Sequence, residues 1–211
     1  MLNAGSTRVT PYIGSSKSDL FEMGKAHIAR WCELNAVKVP RVNPRRGAPE
    51  FGVCAYYRDG EIEIWVQSCA AIGRVGRQWS YPGYVVDRTP YGVLAHELGH
   101  HVDRQHGPAG GVLSHLWRPL DAAPLTSYCP NDNEWFAELF RLFVTDPDLF
   151  ERVRPGIADL FSREWPTKAE DRPWQEVLRD SARHLAAAEN KIRQAMARAK
   201  PRKGDILDGR T

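Results

Sequence analysis

No run in the 211-residue chain approaches the ~20 apolar residues that a membrane helix requires. No two of its four cysteines have the C-x-x-C spacing of a thiolate zinc knuckle. Cys32, Cys54, Cys69 and Cys129 are scattered, and they read as buried thiols of a reducing compartment. The stretch from Met1 to Gly14 lacks the basic start and apolar core of a secretory signal, so a cytoplasmic protein is expected. Net charge is only +3, too little to point to nucleic acid. There is no internal repeat. Hydrophobic residues at 42% and charged residues at 26% exclude a disordered chain and fit a globular one.

Periodicity divides the chain. Leu20, Met23, Gly24, His27, Ile28, Trp31 and Leu34 recur at helical spacing, which predicts a helix over 17–37 with Ser16 or Ser18 as its cap. Three prolines over 40–49 predict a loop. Strands at 51–57 and 61–66 flank Asp59-Gly60, a hairpin signature. Thr89 and Pro90 open a helix predicted over 90–105, and 107–130 reads as a long loop. A helix follows over 132–144, then a short one ending near Arg154. A long amphipathic helix covers 173–200, where Pro201 stops it. The expected organisation is a lead-in over 1–15, one domain over 16–165, a C-terminal helix over 166–200 packed on it, and a tail over 201–211. The fold class is α+β.

The chemistry lies in His96-Glu97-Leu98-Gly99-His100. On a helix, positions i and i+4 share a face, so both imidazoles reach one metal ion. Glu97, beside the first ligand, can hold a water and take its proton. Chance places about 0.01 such patterns in a chain of this composition. Solvated surface histidines are the plain alternative, but Val93, Leu94 and Leu98 give the helix a buried side. Gly99 within a helix costs roughly 1 kcal/mol relative to Ala, a cost that close approach of another element would explain.

Two residues compete for the third ligand position. His106 lies ten residues after His96, the spacing of the metzincin peptidases, but Asp103 stands where that pattern bends the chain with glycine. No methionine suits the methionine turn of that group. A helix continuing past Asp103 would carry His106 roughly 15 Å along the axis from His96. Glu134, on a second helix, would complete a His₂Glu set with an open fourth position. Glu138, one turn on, could fix a ligand imidazole by accepting its N–H. Asp103 also falls on the ligand face and could support a histidine from behind.

His-Glu-Leu-Gly-His-His-Val-Asp, followed by Asn-Glu-Trp-Phe-Ala-Glu-Leu-Phe-Arg-Leu-Phe, resembles the catalytic domain of anthrax lethal factor and its relatives, which are gluzincin-type zinc metallopeptidases. The resemblance covers roughly 85–144. It implies a zincin-like α+β domain holding one Zn²⁺, with His96, His100 and Glu134 as ligands, Glu97 as general base and Glu138 behind a ligand. It also implies that Tyr128 faces the developing oxyanion. The expected activity is hydrolysis of a peptide bond in a protein or peptide substrate, with no membrane partner. The rivals are a metzincin-like peptidase using His106 and a zinc-bound interaction protein without turnover. The strand over 61–66 could align an extended substrate as a sheet edge or lie inside the sheet. Arg74, Arg77 and Arg118 in the surrounding loops could favour acidic substrate segments.

Overall fold

A capping box starts the first helix. The computed structural model describes residues 16–49, 53–71, 87–106, 113–126, 131–145 and 147–166. In it the Ser16 hydroxyl accepts the Asp19 N–H at 3.1 Å while Asp19 accepts the Ser16 N–H at 2.9 Å. Helix α1 then runs over Lys17–Leu34 and buries Leu20, Phe21, Ile28 and Trp31. Three short strands follow, β1 over Arg41–Pro44, β2 over Ala55–Arg58 and β3 over Glu61–Ile64. The remaining elements are helical: α2 Pro90–His106, α3 Leu113–Trp117, α4 Asp132–Thr145, α5 Pro147–Val153 and α6 Pro155–Glu164. The fold is a mostly helical α+β arrangement with one small mixed sheet. No helix among the described residues is long and apolar enough to cross a membrane. The helix expected over 173–200 lies outside the described residues.

The sheet has the order β1-β3-β2. Asp59 and Gly60 both take positive φ, 49° and 87°, as the two-residue turn between antiparallel β2 and β3 requires. Ile62 and Ile64 are fully buried on the inner face, while Glu61 and Glu63 face outward. Segment 41–44, expected within a loop, is instead a parallel edge strand against β3. Its proline is tolerated because of the register. The N–H groups of Arg41 and Arg45 donate to Gly60 and Ile64, so the intervening Pro44 occupies a position whose missing N–H would point away from the sheet. Arg45 and Tyr56 both bind Glu63 on the outer face, at 2.5–2.9 Å and 2.6 Å, and hold its carboxyl down at about 2. That pairing secures β2 across β3.

β3 is therefore the central strand, so of the two readings of 61–66 the strand inside the sheet holds and the substrate-aligning edge does not. Among the described residues, β2 is the sheet edge beside α2. Trp65 N–H donates to the Cys54 carbonyl at 2.8 Å, so by alternation Tyr56 and Arg58 bond inward and the backbone groups of Ala55 and Tyr57 point outward.

Helix α4 is the axis of the helical part. Every residue from Trp135 to Thr145 is buried, which is why its sequence is apolar on so much of its circumference. Phe136, Phe140, Phe143, Phe150, Phe161 and Trp165 pack edge-on and stacked, with ring centroids 5.3–6.5 Å apart. This cluster fixes α4 against α5 and α6, and Trp31 brings in α1. The helix α6 was not anticipated, although Arg154-Pro155 marks its start with proline at N1. Within the segment expected as loop over 107–130, Leu113–Trp117 is helical.

The opposite side of α4 crosses α2 at Gly99. A Cβ on Gly99 would lie 2.8 Å from Ala137 Cα and 3.1 Å from Phe140 Cβ. The glycine is thus required by a backbone-to-backbone approach, as its helix-interior position suggested. Gly99→Ala should lower stability by about 1–3 kcal/mol in urea unfolding, because overpacking outweighs the gain in helix propensity. An unchanged or raised midpoint would show that the crossing has slack.

Candidate metal centre

Helix α2 begins where Thr89 accepts the Gly92 N–H at 3.4 Å and Asp87 accepts the Thr89 N–H at 2.8 Å. Two turns on, His96 and His100 project from one face with ring centroids 4.9 Å apart. The crossing at Gly99 carries α4 past this face. It delivers Glu134, whose helix is capped by the Asn131 side chain accepting the Glu134 N–H at 2.9 Å. His96 Nε2 lies 3.1 Å from Glu134 Oε2, and His100 Nε2 lies 3.5 Å from Glu134 Oε1. One donor atom from each of the three residues falls within 4.8 Å of the others. Two imidazole nitrogens and a carboxylate suit zinc, with one coordination position left over. The group faces an open cleft of about 220 Å³, bordered by Tyr56, Tyr57, Arg104 and Asn133.

Behind His96 stands a second acid. Its Nδ1–H donates to Glu138 Oε1 at 2.8 Å, which leaves Nε2 directed toward Glu134. The other oxygen of Glu138 accepts from Thr126 at 2.9 Å and from Arg141 at 2.6 Å. Arg141 in turn donates to the Asp87 carbonyl at 3.3 Å, which returns the network to the start of α2. Burial disfavours charge on Glu138, but Arg141 and His96 outweigh it and hold its carboxyl below the ordinary value. Burial also opposes charge on His96. The hydrogen bonds to Glu134 and Glu138 prevail and raise its pKa to about 10. Glu134 is driven well below the usual carboxylate range: burial opposes this, and the bonds from His100 and His96 overcome it.

Glu97 is buried beside the two histidines. Burial pushes its carboxyl up, His96 and His100 oppose the rise, and the backbone of Tyr57 hydrogen-bonds to it. That backbone group lies on the outer side of β2, so Glu97 stands between the two histidines and this strand.

Asp103 lines the cleft, but its hydrogen bonds come from Ser114 rather than from an imidazole. Its two oxygens accept the Ser114 N–H at 2.7 Å and the hydroxyl at 2.8 Å. It thereby fastens α3 to α2. Arg118 is drawn to Asp132 at 3.3 Å and lies over Trp135. Arg74, Arg77 and Tyr128 lie outside the described residues. Helix α2 runs unbroken through Asp103 to His106, so ten residues of rise separate the backbones of His96 and His106, about 15 Å.

One residue with a clear task was not singled out by sequence. His101 is fully buried and donates from Nε2 to the Lys38 carbonyl at 2.6 Å. That carbonyl can only accept, so Nδ1 is left to accept the Tyr57 hydroxyl at 3.2 Å. His101 thus ties β2 to α2. It continues the series Leu94, Leu98, His101 on the core side of α2, and that spacing was the available signal.

Glu138→Gln removes the charge that orients His96 and satisfies Arg141, while keeping the size. Metal affinity should fall by roughly 10–100-fold, as read by competition with a chromophoric chelator. Wild-type affinity in that variant would mean that His96 needs no such support. Neither a protein-family model nor a curated protein nor a solved structure matches the chain.

Proposed function

We propose that the chain is a zinc-dependent peptidase with a zincin-like catalytic domain. The observation that carries this reading is the convergence of His96, His100 and Glu134 beside a buried carboxylate that is not needed as a ligand. A structural site would close its fourth position and would have no use for Glu97. His96, His100 and Glu134 would hold the ion. When bound, zinc supplies a Lewis acid for the scissile carbonyl and the attacking water.

The residues of the chain do the rest. Glu97 takes the proton of the attacking water and passes it to the leaving amine, and a carboxyl raised by burial is suited to both roles. Glu138, fixed by Thr126 and Arg141, keeps His96 in the tautomer that presents Nε2. An extended peptide aligns along the outer side of β2, where the outward backbone groups of Ala55 and the carbonyl of Tyr57 remain for strand addition, the Tyr57 N–H being held by Glu97. Tyr128 is assigned to the developing oxyanion on the strength of the resemblance to lethal-factor-type gluzincins. The unbroken course of α2 disfavours a metzincin-like site using His106.

Glu97→Gln should retain about one zinc per chain by elemental analysis while cleavage of a peptide library drops by several orders of magnitude. Cleavage at the wild-type rate would remove Glu97 from the mechanism.

Glu134→Ala should strip the metal at micromolar chelator, whereas His106→Ala should leave metal content and cleavage near those of the wild type. The reverse pair of results would move the third ligand to His106.

A further inference from the structure

Away from the metal centre, two cysteines share one corner of the fold. Cys54 immediately precedes β2, and Cys69 follows the 3₁₀ turn Val66–Ser68 that comes after β3. The hairpin brings them together. Trp65 N–H donates to the Cys54 carbonyl at 2.8 Å, and the turn then folds the chain back, with Cys69 N–H on the Val66 carbonyl at 3.3 Å. Cys54 Sγ lies 3.4 Å from the carbonyl oxygen of Ser68, the residue next to Cys69, and Cys69 Sγ lies 3.6 Å from the carbonyl oxygen of Trp65, the residue paired with Cys54. Both are free thiols. Two cations adjoin the pair. Arg88 Nη2 stands 3.9 Å from Cys54 Sγ, and Lys17 is held close by its bond to the Gln67 carbonyl at 2.7 Å. Access is unequal: Cys69 is 2% exposed, whereas Cys54 is only half-buried.

We propose that Cys54 and Cys69 form a redox modification site, converted to an intramolecular disulfide by a small disulfide oxidant such as glutathione disulfide. Cys54 attacks first. Its thiolate sulfur bonds to one sulfur of the oxidant, the oxidant's S–S bond breaks, and the departing thiolate takes a proton from water. Cys69 then gives its proton to solvent and attacks the Cys54 sulfur. The Cys54–Cys69 bond forms, the mixed disulfide breaks, and a second small thiol leaves. Two protein thiols are oxidised by two electrons, and one oxidant disulfide is reduced to two thiols.

Geometry and charge fix this order. The neighbouring Cys69, together with Arg88 and Lys17, outweighs burial and brings the Cys54 thiol down to about 6. Its neighbour Cys54 and burial push Cys69 up, so the buried thiol waits as the resolving partner. Cys32 provides an internal comparison. It is fully buried in the core, where burial pushes its thiol up to about 12, and no oxidant reaches it. The pair also occupies a junction. Ala70 N–H donates to the Arg88 carbonyl at 2.8 Å just before α2, so the disulfide would fasten the start of the cleft-bordering strand to the approach of the metal helix.

The test uses the full chain, folded and reduced, incubated with glutathione disulfide, quenched in acid and mapped by mass spectrometry after trypsin. Arg58 lies between the two cysteines, so they fall in separate peptides, 47–58 and 59–74. The expected product joins these two peptides and leaves Cys32 reduced. Cys69→Ser should stop at a mixed disulfide on Cys54, and Cys54→Ser should leave Cys69 unmodified over the same interval. Resistance of Cys32 to alkylation until denaturant is added verifies that each variant is folded. The proposal is overturned if wild type accumulates a stable adduct on Cys54 with Cys69 still reduced. Modification of Cys32 as fast as Cys54, or a bond from Cys54 to Cys129, overturns it equally.

Discussion

The approach of α2 to α4 at Gly99 and Ala137 governs the rest of the molecule. His96 and His100 come from one of these helices and Glu134 from the other, so the span between the donor atoms is the interaxial distance expressed at the side chains. Were the helices spaced as ordinary helices with larger side chains between them, the carboxylate would stand off from the imidazoles. Aromatic packing of α4 against α5 and α6 presses from the far side. The crossing is therefore held between a core that pushes and a glycine that yields.

A second layer of order comes from charge. Glu138 and Arg141 are buried on the same helix three residues apart, and burying either alone would cost several kcal/mol. Paired, they join His96 to the Asp87 carbonyl and so couple the orientation of this imidazole to the capped start of its own helix. Thr126 adds a second hydrogen bond to Glu138 Oε2 beside that of Arg141. The segment 121–126 thereby contributes to the centre without presenting a ligand.

Much of this could be read in the residues, and the reasons differ by element. The histidine pair was legible because helical periodicity converts sequence offset directly into a shared face, whereas Glu134 and Glu138 lie on another helix and were singled out beside His106 by ligand chemistry and by the resemblance to lethal-factor-type gluzincins. Gly99 was legible because a glycine inside a helix carries a cost that a close crossing explains. The strand at Arg41–Pro44 was not legible, since three prolines in ten residues mask a pairing that depends on which N–H groups face β3. The placement of β3 at the centre of the sheet depended on that same hidden strand. Asp103 shows a further limit. Its position on the ligand face was correctly inferred, but its hydrogen bonds go to Ser114, whose location depends on a loop path that no periodicity encodes.

The contact beneath Gly99 is backbone against backbone: the atoms that a Cβ would strike include Ala137 Cα and carbonyl oxygen, which every residue type possesses. Trimming position 137 to glycine would leave both in place. A lesion at 99 is consequently not relieved by trimming Ala137, and the tolerance of the crossing is one-sided. Cavities elsewhere in the core cannot draw the two helices closer than their main chains permit, whereas added bulk can force them apart. Added bulk at this crossing would therefore widen the span between Glu134 and the two histidines.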